Sequence, residues 1–305
     1  MSMLEFTAKR IAAIVVLAFL LITGAFIIFR VLPSDPASLV ISPRMTPELK
    51  GILRAQFGLD KPLWYQYSIY LKNMLHGDLG VSFYWGAAVS DILKTRIVPT
   101  ALLIGTGIVI ATLIDFVASA ALGQKSSIVN TLFYLKPFLF LGLILIWIVS
   151  YRLDLFPVGG MRSPEIWAPS VGASAGAKLA DIVYHLFLPL YLMVIWLLVG
   201  FLPLVKTTSW GVIQEKKSLL PAGLTTLFAA SALLFGAMAT ETICSWPGFH
   251  ATFVEASLNY DYPLALGSVI AGIIFALIAA ACCEVFYAAS ASLKKLPSQN
   301  SGESD

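Results

Sequence analysis

The chain has 305 residues, of which 58% are hydrophobic and only 12% charged, and its mean hydropathy is +0.85. A water-soluble domain carries roughly 25% charged residues, so most of this chain does not face water. The net charge of +3 is spread along the chain without a basic run suited to nucleic acid. Cys244, Cys282 and Cys283 form no CxxC pair, and His76, His185 and His250 lie far apart, which argues against a zinc site or a disulfide framework.

A helix needs about 20 apolar residues to cross the hydrocarbon layer. The first such run is Ile11 to Phe29, behind Lys9 and Arg10. It exceeds the core of a secretory signal and lacks a small-x-small cleavage site, so it reads as a retained helix. The stretch from Pro33 to Arg96 is the one sizeable water-facing region. Within it, Thr46-Pro47-Glu48 reads as a helix start, and Asp60-Lys-Pro62 breaks that helix. Trp64 to Leu75 reads as an aromatic-rich amphipathic helix closed by Gly77-Asp-Leu-Gly80.

The second span is predicted over Ile97 to Ile114, continuing past Asp115 to Gln124. The third covers about Thr131 to Tyr151, interrupted by Lys136. The fourth is Leu186 to Val205, the fifth Ser218 to Thr240 and the sixth Leu264 to Cys283. Lipid cannot satisfy an open backbone, so these runs are helices. The expected fold is an all-α integral membrane protein with about six transmembrane helices and an extracytoplasmic helical segment between helices 1 and 2. The corresponding divisions are 1–32 (N-terminus and helix 1), 33–96 (extracytoplasmic), 97–288 (transmembrane helices 2–6) and 289–305 (polar tail).

Short loops give the orientation. Lys9, Arg10, Lys125, Lys206, Lys216, Lys217, Lys294 and Lys295 fall on one side, against Arg152, Arg162 and Lys178 on the other. The bias puts both termini in the cytosol.

Charges inside spans are costly and need an account. Asp115 and Lys136 flank the same loop on antiparallel helices at similar depth, so an intramembrane ion pair is expected. Snorkelling of Lys136 with Asp115 in a wet vestibule is the alternative. Thr100, Thr106, Thr112 and Ser119 in the second span, and Thr225, Thr226, Ser231 and Thr240 in the fifth, either line a pore or bond helix to helix.

Several blocks resemble a known family. They are Leu32-Pro-Ser-Asp-Pro36, Arg54-Ala-Gln-Phe-Gly-Leu-Asp-Lys-Pro62, Gln66-Tyr67 and Gly77-Asp-Leu-Gly-Val-Ser82. Further along come His185-Leu-Phe-Leu-Pro189, Glu241-Thr-Ile-Cys-Ser-Trp-Pro-Gly-Phe249, Glu255-Ala and Asp261-Tyr-Pro263. In this order they resemble permease subunits of the dipeptide/oligopeptide/nickel family of ABC importers. The resemblance implies a second homologous permease subunit, ATPase subunits on the cytosolic face and an extracytoplasmic substrate-binding protein. It implies no enzyme activity and no cofactor in this chain, and no G-x-x-x-x-G-K-[ST] phosphate loop occurs in it.

On this reading, Trp64, Tyr67 and Asp78 belong to a docking surface for the binding protein, or else the aromatics rest on the outer leaflet. Glu241, Trp246, Pro247 and Gly248 form an outer gate or order the loop, with the Glu241 carboxylate accepting backbone N–H bonds around Ser245 to Gly248. The family's long cytosolic loop between the fourth and fifth spans is shortened here to Lys206 through Lys217. Ser209, Trp210, Gly211, Val212, Ile213 and Gln214 are the candidates for a reduced ATPase contact. Two readings follow: a working half of a transporter, or a repurposed structural subunit without ATP coupling. His250 where the family has Gly, and Glu284 near a usual Asp, are further departures.

Overall fold

The computed structural model describes residues 3–31, 61–122, 138–205 and 219–293. Those residues are helical throughout, apart from loops and a single isolated bridge between Val81 and Ala88. The helices are α1 (Met3–Val31), α2 (Leu63–Leu75), α3 (Val89–Leu122), α4 (Phe138–Ile146), α5 (Pro164–Trp167), α6 (Ala175–Trp196), α7 (Leu219–Ile243), α8 (Phe249–Leu258) and α9 (Tyr262–Leu293). Helices α4 and α6 each continue into a π-helical turn, Trp147–Arg152 and Leu197–Phe201.

Among the described residues, five stretches are long and apolar enough to cross a membrane: Ile11–Arg30, Val89–Ala118, Ala175–Val205, Thr226–Ile243 and Tyr262–Tyr287. The expected third span is described only from Phe138 onward; its first half, with Lys136, lies outside the described residues. Three spans start earlier than their apolar runs. Helix α3 opens at Val89, where Asp91 sits in the first turn and pairs with Lys94 at 2.7 Å. An acid there favours the positive helix end. Helix α6 opens at Ala175 because Ser174 caps it, its side chain accepting from the Ala177 N–H at 3.2 Å. Helix α9 opens at Tyr262, with the Asp261 carboxylate accepting from the Leu264 N–H at 3.3 Å.

The chain divides into two compact units. The first contains Ala101–Trp246 with Met1–Leu20 and Ile273–Asp305. Its packing depends on small residues: the Trp196 ring lies where a Cβ on Gly236 would stand, 1.9 Å from the ring, and its Nε1 donates to the Ala232 carbonyl at 2.7 Å. The second unit contains Leu21–Thr100 and Pro247–Gly272. There α2 lies against α1 through Phe26, whose ring meets Tyr67 and Tyr70 at 5.2 and 5.4 Å, and Phe29 meets Phe253 and Tyr262 edge-on.

Candidate functional site

Within the second unit, two of the motif blocks meet. Gly77 and Gly80 take φ of +79° and +88°, which side chains resist, so glycine there lets the chain leave α2 and turn toward α3. Asp78 fixes this turn by accepting from the Gly80 N–H at 2.9 Å. Ser82 is thereby buried and its hydroxyl donates to the Asp261 carboxylate, while the same oxygen accepts from the Trp85 N–H at 3.0 Å. Asp261, also buried, accepts in addition from the Tyr84 N–H at 3.1 Å. One carboxylate thus receives Ser82 from the first block, Tyr84 two residues beyond it, and Leu264 from its own helix start.

A second junction ties α3 to the Trp-Pro-Gly-Phe block. Thr100, fully buried, accepts from the Phe249 N–H at 2.9 Å. Gly248 precedes α8, and its carbonyl accepts from both the N–H and the hydroxyl of Thr252. In the first unit the Glu241 carbonyl accepts from the Trp246 N–H at 2.8 Å, and both side chains are fully buried. The turn passes through Ser245 at φ +49°. Burial pushes the neighbouring Cys244 thiol up to about 12.

Of the expected docking residues, Trp64 is exposed, whereas Tyr67 turns inward, its hydroxyl hydrogen-bonded to Thr23 and its ring on Phe26. Asp78 is occupied in its own turn. Tyr70, one turn after Tyr67, is half-buried, and desolvation raises its phenol well above its ordinary value, with Arg30 opposing.

Asp115 is buried and accepts from the Tyr287 hydroxyl at 3.1 Å; its expected partner Lys136 lies outside the described residues. Thr226 donates to Glu284 at 2.9 Å, both fully buried. Thr106 donates back to the Leu102 carbonyl and Ser231 to that of Phe228, so these two candidates for a pore lining bond their own helices. Ser119, Thr225 and the loop Ser209, Trp210, Gly211, Val212, Ile213 and Gln214 lie outside the described residues or side chains.

One buried carboxylate was not singled out by the sequence. Asp181 accepts from the Ser163 N–H at 2.9 Å, the Ser163 hydroxyl at 2.7 Å and the Trp167 indole N–H at 2.8 Å. His185 Nδ1 lies 2.9 Å from the Asp181 carbonyl and 3.4 Å from its carboxylate. An acid four residues before a histidine, at the head of an apolar run, was the available signal.

Residues 3–104 match the N-terminal region of binding-protein-dependent transport system membrane components, and residues 216–294 match the binding-protein-dependent transport system inner membrane component. The two matches contain both motif blocks that Ser82 and Asp261 join. The chain belongs to this family. As a permease subunit it resembles the dipeptide transport system permease protein DppB of Escherichia coli K12, with 26% identity over 313 residues, covering 88% of this chain and 92% of the relative. It is similar to the oligopeptide transport system permease protein AppB of Bacillus subtilis, with 24% identity, covering 87% and 90%. A third relative is the glutathione transport system permease protein GsiC of Escherichia coli O6:H1, at 26% identity, covering 86% and 89%. The protein is a multi-pass inner-membrane permease subunit, and these matches do not favour the repurposed reading.

Proposed function

We propose that this permease forms half of the translocation pathway of an importer for short peptides. A second permease subunit forms the other half, separate ATPase subunits hydrolyse ATP, and an extracytoplasmic protein delivers the solute. The observation that carries this reading is the joining of the Gly77–Ser82 and Asp261–Pro263 blocks at one buried carboxylate. Peptide substrates are supported by the curated relatives, which are named for dipeptide, oligopeptide and glutathione transport.

Both chain ends lie in the cytosol, supported by the excess of lysine and arginine in the loops assigned to that side. The segment 33–96 then faces outward, with α2 as a cap whose exposed Trp64 is open to the binding protein. Glu241, Trp246, Pro247 and Gly248 hold the outer loop in place; the burial of Glu241 and Trp246 supports ordering over gating. Coupling to ATP hydrolysis runs through the short link at Ser209 to Gln214, or through the partner permease. Transport needs an element whose position differs between two states of the ATPase, and the link is the cytosolic stretch available for it.

The experiment is purification of the intact complex through a tag on this chain, followed by reconstitution into liposomes. A second permease, stoichiometric ATPase subunits and ATP-dependent uptake of a labelled dipeptide are expected. Uptake that is indifferent to ATP would refute the importer reading. Deleting Thr207 to Gln214 locates the coupling: uptake lost with ATPase subunits still bound assigns it to this link, and unchanged uptake assigns it to the partner.

A further inference from the structure

One cation–aromatic cluster has no part in the transport reading. Arg162 lies over the Trp167 ring with Cζ 4.1 Å from the centroid, and Lys178 lies with Nζ 5.4 Å from it. The indole is held in place at its edge, since its N–H donates to Asp181. That carboxylate is buried and already receives three donors, so it is committed to Ser163 and Trp167. Arg162 is exposed and Lys178 is half-buried, and from residue 155 to 180 the single acid is Glu165. The cluster therefore presents two positive groups, fixed on a rigid ring, at the N-terminal end of a membrane span.

Directly along that span runs an exposed row spaced four residues apart: Leu179, Val183, Phe187 and Tyr191. This spacing puts the four side chains on one helix face. They are bulky. Helices that pack together in membranes do so through small residues, and the buried packing of this same helix follows that rule. A Cβ on Gly107 would stand 3.1 Å from Met193, and Gly236 admits Trp196. The Leu179–Tyr191 row has the opposite character, that of a surface facing acyl chains, and it ends at the Arg162–Trp167–Lys178 cluster. Tryptophan and basic side chains are what such a helix carries where hydrocarbon meets headgroups.

We propose that this face binds a phospholipid, with its acyl chains along Leu179, Val183 and Phe187 and its phosphate held between Arg162 and Lys178, and that it favours anionic headgroups. The inference rests on the membrane-spanning reading of α6 and is independent of which solute is carried.

The test has two arms. The full-length protein is purified from nanodiscs of equal phosphatidylglycerol and phosphatidylcholine, and retained lipid is measured by native mass spectrometry. Phosphatidylglycerol should be retained selectively. The Arg162→Gln/Lys178→Gln variant should lose that retention by roughly an order of magnitude or more, while its melting temperature in lipid-free detergent stays unchanged. Arg162→Lys should keep it. Equal retention of both lipids, or retention unaffected by the double variant, would overturn the assignment. The second arm does not depend on that variant folding. A photo-cross-linking amino acid at Val183 in native membranes should give a lipid adduct; an adduct to another polypeptide would show that this face is a subunit interface.

Discussion

The Ser82 hydroxyl donates to the Asp261 carboxylate across 179 positions of sequence, and both residues are buried. The carboxylate also caps α9 and holds the Tyr84 N–H, so one side chain fixes the loop after α2 and the start of the last span together. Removing one partner of a buried hydrogen-bonded pair leaves the other desolvated and unsatisfied. Asp261→Ala strands three donors and should lower stability by about 1–3 kcal/mol, with Ser82→Ala costing less. Thermal melting of the four members of the double-mutant cycle measures the coupling. Additive effects of the two changes would show that the contact contributes nothing.

Gly236→Ala places a methyl group 1.9 Å from the Trp196 ring, a contact that cannot persist. The indole is anchored by its bond to Ala232, so relief requires moving a helix. A loss of about 1–3 kcal/mol follows from overpacking of this kind, and little folded protein should reach the membrane. Trp196→Leu introduced with it should restore accumulation. Quantitative immunoblotting of membrane fractions reads the outcome.

Asp181 serves Ser163 and Trp167 with three hydrogen bonds. Asp181→Ala leaves these donors without their acceptor and should cost about 1–3 kcal/mol. Trp167→Phe removes one bond while keeping a ring, so its cost should be smaller, about 1 kcal/mol. Asp181→Asn keeps an acceptor oxygen and should fall between. Tryptophan fluorescence melts of the purified chain order the three, and equal melting points for all would remove the role assigned to Asp181.

Alkaline pH should weaken the fold through Tyr70 and Cys244. Burial raises both groups above their ordinary values of 10.0 and 9.0, Cys244 to about 12. The folded state therefore holds protons that the unfolded chain releases, and stability falls as pH rises above the unfolded values. Well below pH 9 neither contributes to the slope. Tyr70→Phe and Cys244→Ala should each flatten the decline in melting temperature between pH 9 and 11. An unchanged decline in the double variant would assign it to other groups.

The spans were legible because an apolar run of about 20 residues has one stable solution in lipid. The amphipathic α2 was legible as well: Tyr67 and Tyr70 recur at a helical interval, and Gly77 marks its end. Span starts were less so. Asp91, Lys94, Lys178 and Asp181 interrupt the hydropathy of α3 and α6, yet both helices run through them. Asp91 and Lys94 neutralise one another, and Asp181 is satisfied by residues of a preceding loop. The Asp115 environment shows the same effect, since Tyr287 reaches it from a helix far along the chain.

By itself the sequence determined that the chain lives in a bilayer as a helical bundle and to which family of permeases it belongs. Both follow from local patterns: runs of apolar side chains and short blocks with fixed turn chemistry. Only the tertiary structure decided which distant polar groups meet. Ser82 and Asp261 were both visible as motif members, and Trp167 and Asp181 were not, but in neither case could the pairing be read from the chain. The cost of burying a polar group vanishes when a partner arrives from elsewhere in the fold, and that arrival is a property of packing, which hydropathy along the chain does not record.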